Sequence, residues 1–290
     1  MYISYIVKNK EGNMSKLRML VGMLCVTVLL FGLWGRAEAQ PVSSDPTDPY
    51  VKSLLSALTG LVDENLAHVR HTLELLAQCA EVRSGQWDKM QGIIQAAPLS
   101  NLPQVVWFVL PDGAYYTSEK GLVSQKLNDR PYFPILMAGQ RVMGDLVVSK
   151  STGKKSIIVA VPVQRNGKVI GGVGASIFVD DLSQALNSIL KIPDDLVFYG
   201  LSPSGLTAFH RDPKLDFVDP REQKSETLKK AAEIILAEKS GEVTYEYSGT
   251  TRRMFFTTSP LTGWRIVLGR ILGPSSAQNP HRAAGDILSR

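Results

Sequence analysis

A long amphipathic pattern near the start of the chain constrains the fold most. From Tyr50 to about Val82, apolar residues recur at steps of three and four, which is the spacing of one buried helix face. A shorter helix is expected over Gln86–Ala96, so residues 50–100 are interpreted as an N-terminal helical segment. The apolar positions of the long helix are Leu54, Leu55, Leu58, Leu61, Val62, Leu66, Val69, Leu73 and Leu76.

The pattern then changes to strands and hairpins. VVWFVL (105–110) and AYYTS (114–118) flank a Pro-Asp-Gly turn, which has the residue types of a hairpin loop. We expect a first α+β unit over 101–190, with a helix near 131–138, strands at 145–149, 155–164 and 168–178, and a helix at 180–190.

A second, smaller α+β unit, again built from strands and a helix, is expected over 191–272. Its predicted elements are strands at 196–201 and 206–210, a helix at 226–239, and strands at 242–247, 252–259 and 265–271. The fold class predicted for the chain is therefore α+β, a long helix followed by two units built on antiparallel sheets.

The two ends of the chain have a different composition. Lys16 and Arg18 precede an uncharged apolar run, and Ala37 and Ala39 supply the small residues of a cleavage site. Residues 1–39 are therefore predicted to be a signal peptide, whether translation begins at Met1 or at Met14. An uncleaved membrane anchor is the alternative. We expect 40–49 to be a polar linker and 273–290 a disordered tail.

Charge and chemistry exclude several classes of function. Most of the net charge of +5 lies in residues 1–39, so the remainder is nearly neutral and has no basic patch for nucleic acid. His68 and His71 have no further metal ligands nearby in sequence, and His210 is interpreted as an exposed turn residue. A Gly-x-Ser-x-Gly elbow is absent from the sequence. We expect no enzymatic activity, no cofactor and no metal.

Two smaller features complete the predictions made from the residues. Cys79 falls in the helical pattern and is expected to be a buried structural thiol. Gly171, Gly172 and Gly174 lie inside a strand pattern, where glycine allows backbone or a ligand to approach the sheet closely.

The segment NDRPYF (128–133) is the strongest candidate for a binding site. A guanidinium beside two aromatic rings can hold a carboxylate by a bidentate fork while the rings cover its apolar part. In the alternative, Asp129 and Arg130 pair locally while Tyr132 and Phe133 fill the core.

Residues 128–186 resemble the first half of a Cache sensor domain. The resemblance rests on the D-R-x-Y-F element, the S-x-x-T-G-K turn, a strand ending in A-V-P, and G-x-x-G before the exit helix. VFYGLSPSGLTAFH (197–210) and YEYSGTTRRMFFTTSPLTGWRIVLG (245–269) are similar to a second unit. The chain therefore resembles a double Cache module of PAS-like (PDC-type) units, membrane-distal over 101–190 and membrane-proximal over 191–272.

The resemblance implies a ligand site in the first unit. Arg130, Tyr132 and Phe133 carry over from the family element, with Trp107 and Tyr115 as walls. Amino-acid sensors of the family grip the ammonium with acidic residues. Here the matching positions are Val147, Ser149 and Ser176, which disfavours an α-amino acid. Lys150 is an additional candidate contact for an anion. A small carboxylate is the expected ligand.

The function expected from this resemblance is a periplasmic ligand-binding sensor that signals through a membrane-bound partner. A membrane-anchored sensor with an uncleaved leader is one alternative, and a structural or interaction module with a vestigial pocket is another. An exported hydrolase using His210 is disfavoured. The resemblance is also compatible with a homodimer formed through the long N-terminal helix.

Overall fold

The computed structural model describes residues 48–97 and 101–274. The expected signal peptide, all but two residues of the expected linker, and residues 275–290 of the expected tail lie outside these ranges. The helices are α1 (Asp48–Gln78), α2 (Ala80–Arg83), α3 (Trp87–Ala96), α4 (Tyr132–Met137), α5 (Val179–Leu190) and α6 (Glu226–Ala237).

Eleven strands within the described ranges form two sheets whose neighbouring strands are all antiparallel. The first sheet has the order β3-β2-β1-β6-β5-β4 and the second has β8-β7-β11-β10-β9. The strands are β1 (Gln104–Val109), β2 (Ala114–Thr117), β3 (Gly121–Lys126), β4 (Val142–Val148), β5 (Lys155–Arg165), β6 (Lys168–Phe178), β7 (Leu196–Leu201), β8 (Thr207–His210), β9 (Ser240–Tyr247), β10 (Thr250–Thr258) and β11 (Arg265–Pro274).

Helix α1 packs against both sheets. It contacts β5 and β6 of the first sheet and β10 and β11 of the second. Its apolar stripe, from Val51 to Leu76, is buried in one continuous core with residues of both sheets. The α+β architecture predicted from the helical and hairpin patterns is therefore confirmed.

Alternation along the strands divides each sheet into two faces, because successive side chains point to opposite sides. In β1, Phe108 joins the core around α1, whereas Trp107 joins a separate cluster with α4. In β7, Phe198 joins the α1 core, whereas Tyr199 joins a cluster with α6. Each sheet therefore has α1 on one face and a short helix on the other.

Helix α1 differs from its expected bounds at both ends. It begins at Asp48, inside the expected linker, where both carboxylate oxygens of this buried residue accept from Arg253 at 2.9 Å. It ends at Gln78 because the backbone of Cys79 is extended, and α2 follows as a separate turn. Cys79 is only half-buried, so the expectation of a buried thiol was wrong.

Three elements were not expected from the sequence. Strand β3 is a mostly exposed edge strand with little apolar alternation. Two single-turn 3-10 helices, Pro213–Leu215 and Pro220–Glu222, follow Asp212 and Asp219, whose side chains accept from the backbone N–H groups of Lys214 and Arg221. In the second sheet, β11 extends to Pro274 and so includes residues 273 and 274, the first two of the expected tail.

Candidate ligand-binding site

A small cavity lies on the α4 face of the first sheet. Seven of the eight residues singled out from the sequence line it, and Phe133 packs half-buried in the surrounding apolar cluster instead. The lining residues are Trp107, Tyr115, Leu127, Arg130, Tyr132, Val147, Ser149, Lys150, Ser151, Ile158 and Ser176. Val147 was aligned with a family position without being a candidate contact, and Leu127, Ser151 and Ile158 were not predicted as site residues.

Trp107 is a buried aromatic residue in the lining of this cavity. Its indole Nε1–H donates to Ser176 Oγ at 3.1 Å, and its ring stacks on Tyr132 with 6.1 Å between centroids. Trp107 lies opposite Gly174 in the β1–β6 pairing, and a Cβ at position 174 would lie 2.3 Å from Trp107 Cζ2. A Cβ at Gly172 would likewise collide with Leu136. In this structure the glycines at 172 and 174 therefore let the side chains of Leu136 and Trp107 approach the sheet closely.

Arg130 is half-buried at the edge of the cavity. Its Nη2 donates to the Val148 carbonyl at 2.7 Å, whereas its Nε is buried without a hydrogen-bond partner. A buried guanidinium donor without an acceptor is costly. Asp129 does not pair with Arg130, which removes one part of the local alternative considered from the sequence.

Asp129 pairs with Lys150 instead. Lys150 Nζ lies 2.6 and 2.8 Å from the two carboxylate oxygens and also donates to the Lys126 carbonyl at 2.6 Å. Lys150 is the main cause of the lowered pKa of Asp129. Lys150 is therefore already engaged, and Arg130 is the cation with unused hydrogen-bonding capacity.

The polar atoms of the remaining wall are neutral. Burial raises the pKa values of Tyr115 and Tyr132, so both side chains stay protonated near neutral pH, although Arg130 acts in the opposite direction. Ser149 Oγ lies 3.2 Å from Ser151 Oγ in the turn between β4 and β5. The lining within the described chain thus combines two cations and several neutral hydroxyls with no carboxylate.

The free space in the cavity is small. Its volume is about 10 Å³, which is close to what one water molecule requires. Trp107 and Tyr132, both almost fully buried, occupy the space that a ligand would need. A molecule larger than water can enter only if at least one of these side chains moves.

His210 differs from its expected exposed position. It is the last residue of β8, is 7% exposed, and stacks on Tyr199 at 5.6 Å. Burial, together with the charge of Arg252, lowers its pKa to about 4. The expectation of a solvated turn histidine was therefore wrong, since the turn begins one residue later.

The described residues contain neither a metal cluster nor a helix suited to a membrane. Within 48–97 and 101–274, no three His, Cys, Asp or Glu side chains are placed so that they could hold a metal ion. Among the helices of the same ranges, none combines the length and apolar character needed to cross a membrane.

The sequence matches no protein-family model and no curated protein. Solved structures do match. The extracellular ligand binding receptor from Desulfohalobium retbaense has a TM-score of 0.65 at 14% identity, covering 77% of this chain and 40% of that chain. The ligand-binding domain of the Pseudomonas fluorescens chemoreceptor CtaA, in complex with L-alanine, has a TM-score of 0.62 at 17% identity, covering 79% and 98%.

A third solved structure is the extracellular domain of a protein described as the histidine kinase rpHK1S-Z16. Its TM-score is 0.63 at 18% identity, covering 78% of this chain and 94% of that chain. The described residues thus share the fold of extracellular sensor domains from chemoreceptors and histidine kinases. This fold is consistent with the double Cache resemblance of the sequence.

Proposed function

We propose that the chain is an extracytoplasmic sensor that binds a small carboxylate in the cavity of the first sheet. The observation that carries the proposal is the convergence of Arg130, Lys150, Tyr115, Tyr132 and Trp107 on one cavity. These residues come from separate elements. Arg130 has an unused Nε donor for a carboxylate, whereas Lys150 is already bonded to Asp129 and the Lys126 carbonyl. The shared sensor fold supports a role in ligand recognition.

The charge of the lining favours a carboxylate over an α-amino acid. The CtaA domain was solved with L-alanine, L-serine and L-isoleucine. Here an ammonium group in the cavity would meet Arg130 without a lining carboxylate to compensate it, and Asp129 is already paired with Lys150. Burying an unpaired charge beside like charges is costly. A ligand with a carboxylate and no ammonium avoids that cost.

Of the two side chains that could move to admit a ligand, we infer that Trp107 leaves its place over Gly174. Trp107 has one hydrogen bond to give up, and such a neutral bond contributes about 1 kcal/mol. The ligand carboxylate would accept a hydrogen bond from the buried Arg130 Nε, which has no partner among the described residues. Because Trp107 lies on β1 and Ser176 on β6, occupancy would change the packing of two central strands.

Thermal-shift screening of organic acids and amino acids tests this proposal. Ligand binding to the folded state raises the melting temperature by mass action. We expect carboxylates to stabilise the wild type and Arg165→Ala, whose substituted side chain lies outside the cavity. Stabilisation should be lost in Arg130→Ala. The absence of a shift with every candidate, with unchanged melting of Arg130→Ala, would contradict the proposal.

A structural module with a vestigial pocket is the second candidate. The observation that favours it is the cavity volume of about 10 Å³, with Trp107 bonded to Ser176 and stacked on Tyr132. The same screen separates the two candidates, because a vestigial first pocket would give no stabilisation that is lost in Arg130→Ala.

Export and signalling complete the proposal. The mature protein would begin after Ala39 and pass ligand occupancy to a membrane-bound partner, or an uncleaved leader would hold it at the inner membrane. Amino-terminal sequencing of the exported protein distinguishes these cases. A homodimer through α1 would have to use the face away from the core, where Gly60, Glu64 and His68 are exposed, because the opposite stripe is buried.

A further inference from the structure

The second sheet carries a cavity of its own on the corresponding face. The first cavity lies on the α4 face of its sheet, and this second one lies on the α6 face, in both cases away from the core around α1. Its volume is about 40 Å³, larger than that of the first. It is lined by Tyr199, Thr207, His210, Leu215, Val218, Pro220, Gln223, Leu228, Tyr245, Tyr247 and Arg252.

Arg252 is the cation of this second cavity. Its guanidinium carbon lies 4.9 Å from the centre of the Tyr247 ring, and its Nε is 3.5 Å from Thr250 Oγ1. Within the described residues it forms no salt bridge, whereas the adjacent Arg253 binds Asp48 and Glu242. Strand alternation puts these two arginines on opposite faces of β10. The cavity therefore has a guanidinium that lacks a carboxylate partner in the described chain.

The aromatic residues beside Arg252 add neutral hydrogen-bonding groups. His210 Nδ1 accepts from the Asp212 backbone N–H at 2.7 Å, so in the neutral imidazole the ring proton lies on Nε2 and makes it a donor. Tyr199 and Tyr245 place their hydroxyl oxygens 3.5 Å apart in the same wall. The remaining lining is mostly apolar, with Leu215, Val218, Pro220 and Leu228, and it contains no acidic residue.

We propose that this cavity is a second ligand site, which binds a short-chain monocarboxylate through Arg252. A planar guanidinium fits a carboxylate bidentately, and the aliphatic and aromatic wall fits a short apolar chain. A free volume of about 40 Å³ holds roughly three water molecules, which limits the ligand to about the size of acetate or propionate. This site does not depend on the function proposed for the first sheet.

The test follows the His210 ring resonance by NMR during titration with sodium acetate and sodium propionate, at constant ionic strength set with chloride. His210 lines the second cavity and not the first, so its ring reports on this site alone. We expect a saturable shift in the wild type and in Arg130→Gln, the matched variant of the first site. In Arg252→Gln the affinity should fall at least tenfold, since charge-assisted hydrogen bonds contribute about 1.5–3 kcal/mol.

Arg252→Lys keeps the positive charge but removes the planar guanidinium that can donate two parallel hydrogen bonds. It therefore tests the proposal even if Arg252→Gln does not fold. It should bind more weakly than the wild type. Three results would overturn the proposal: no shift of the His210 resonance with either acid, unchanged affinity in the folded Arg252 variants, or an equal response to inorganic phosphate. Because Arg130→Gln removes only the first site, failure of one site is distinguishable from failure of the other.

Discussion

Trp107 is a buried residue in the lining of the first cavity. Its ring crosses the sheet over Gly174, bonds to Ser176 and stacks on Tyr132. A glycine at position 174 is therefore required by packing, because no side chain fits beneath the indole. In the proposed function Trp107 is also the side chain that a ligand displaces, so the same contact would affect both the local stability and the access of a ligand.

Gly174→Ala should destabilise the protein by about 1–3 kcal/mol, the usual cost of overpacking a core. The new methyl group would lie 2.3 Å from Trp107 Cζ2, so the indole would have to move and lose its bond to Ser176. Gly60→Ala is the matched control, because its Cβ meets nothing within 4 Å and alanine favours a helix by about 0.5–1 kcal/mol. Urea unfolding measures both variants. An equal effect of the two substitutions would contradict this account.

At the residue scale, part of the candidate site was predictable. The D-R-x-Y-F resemblance singled out Arg130 and Tyr132, and both line the cavity, but their role in binding stays a prediction. The filling of the cavity was not predictable, because it depends on the pairing of Trp107 with Gly174 across strands far apart in sequence. Leu127 and Ile158 carry no chemical signal that distinguishes a wall residue from any other apolar residue.

At the scale of elements, the two units meet around Asp216, which is 1% exposed in the loop after β8. Lys155, the first residue of β5, donates to the Asp216 backbone carbonyl at 2.6 Å. Burial raises the pKa of the Asp216 carboxyl to about 7, with Lys155 opposing the shift and Asp180 of α5 adding to it. A carboxyl group at this junction is therefore protonated more readily in the folded protein than in the unfolded chain.

Because the Asp216 carboxyl group loses its proton less readily in the folded state, its ionisation should make the protein less stable as pH rises. Between about pH 4 and pH 7 the folded state binds the proton that the unfolded state has released, so unfolding becomes easier with increasing pH. Asp216→Asn removes this dependence and should be more stable than the wild type at pH 8. At pH 4 the difference should be smaller. Urea unfolding at the two pH values measures it, and a difference independent of pH would contradict the assignment.

The elements differed in how far the sequence predicted them. Periodicity predicted α1 and most strands because their apolar faces are buried in a regular repeat. Strand β3 was missed because an edge strand with exposed side chains has little alternation to detect. The predicted strand at 206–210 already included His210, but its burial was not predictable, because it depends on Tyr199, the residue that pairs with it on β7 and stacks on its ring.

At the scale of the whole molecule, α1 connects the two units. One core joins its apolar stripe to both sheets, so movement of β1 and β6 after ligand entry would be transmitted to the packing of α1. Each unit also keeps a separate cavity on its other face. This arrangement fits a sensor in which a ligand acts through the packing of sheets against a shared helix.

The most direct test of the central claim is the Trp107 indole N–H resonance in a titration by NMR. Each carboxylate that stabilises the protein should be compared with its α-amino counterpart, beginning with L-lactate and L-alanine. The account predicts that the carboxylate shifts this resonance as the bond to Ser176 breaks, that the amino acid does so far more weakly, and that Arg130→Gln abolishes the response. A response to L-alanine at least as strong, no response to any carboxylate, or an unchanged response in Arg130→Gln would contradict it.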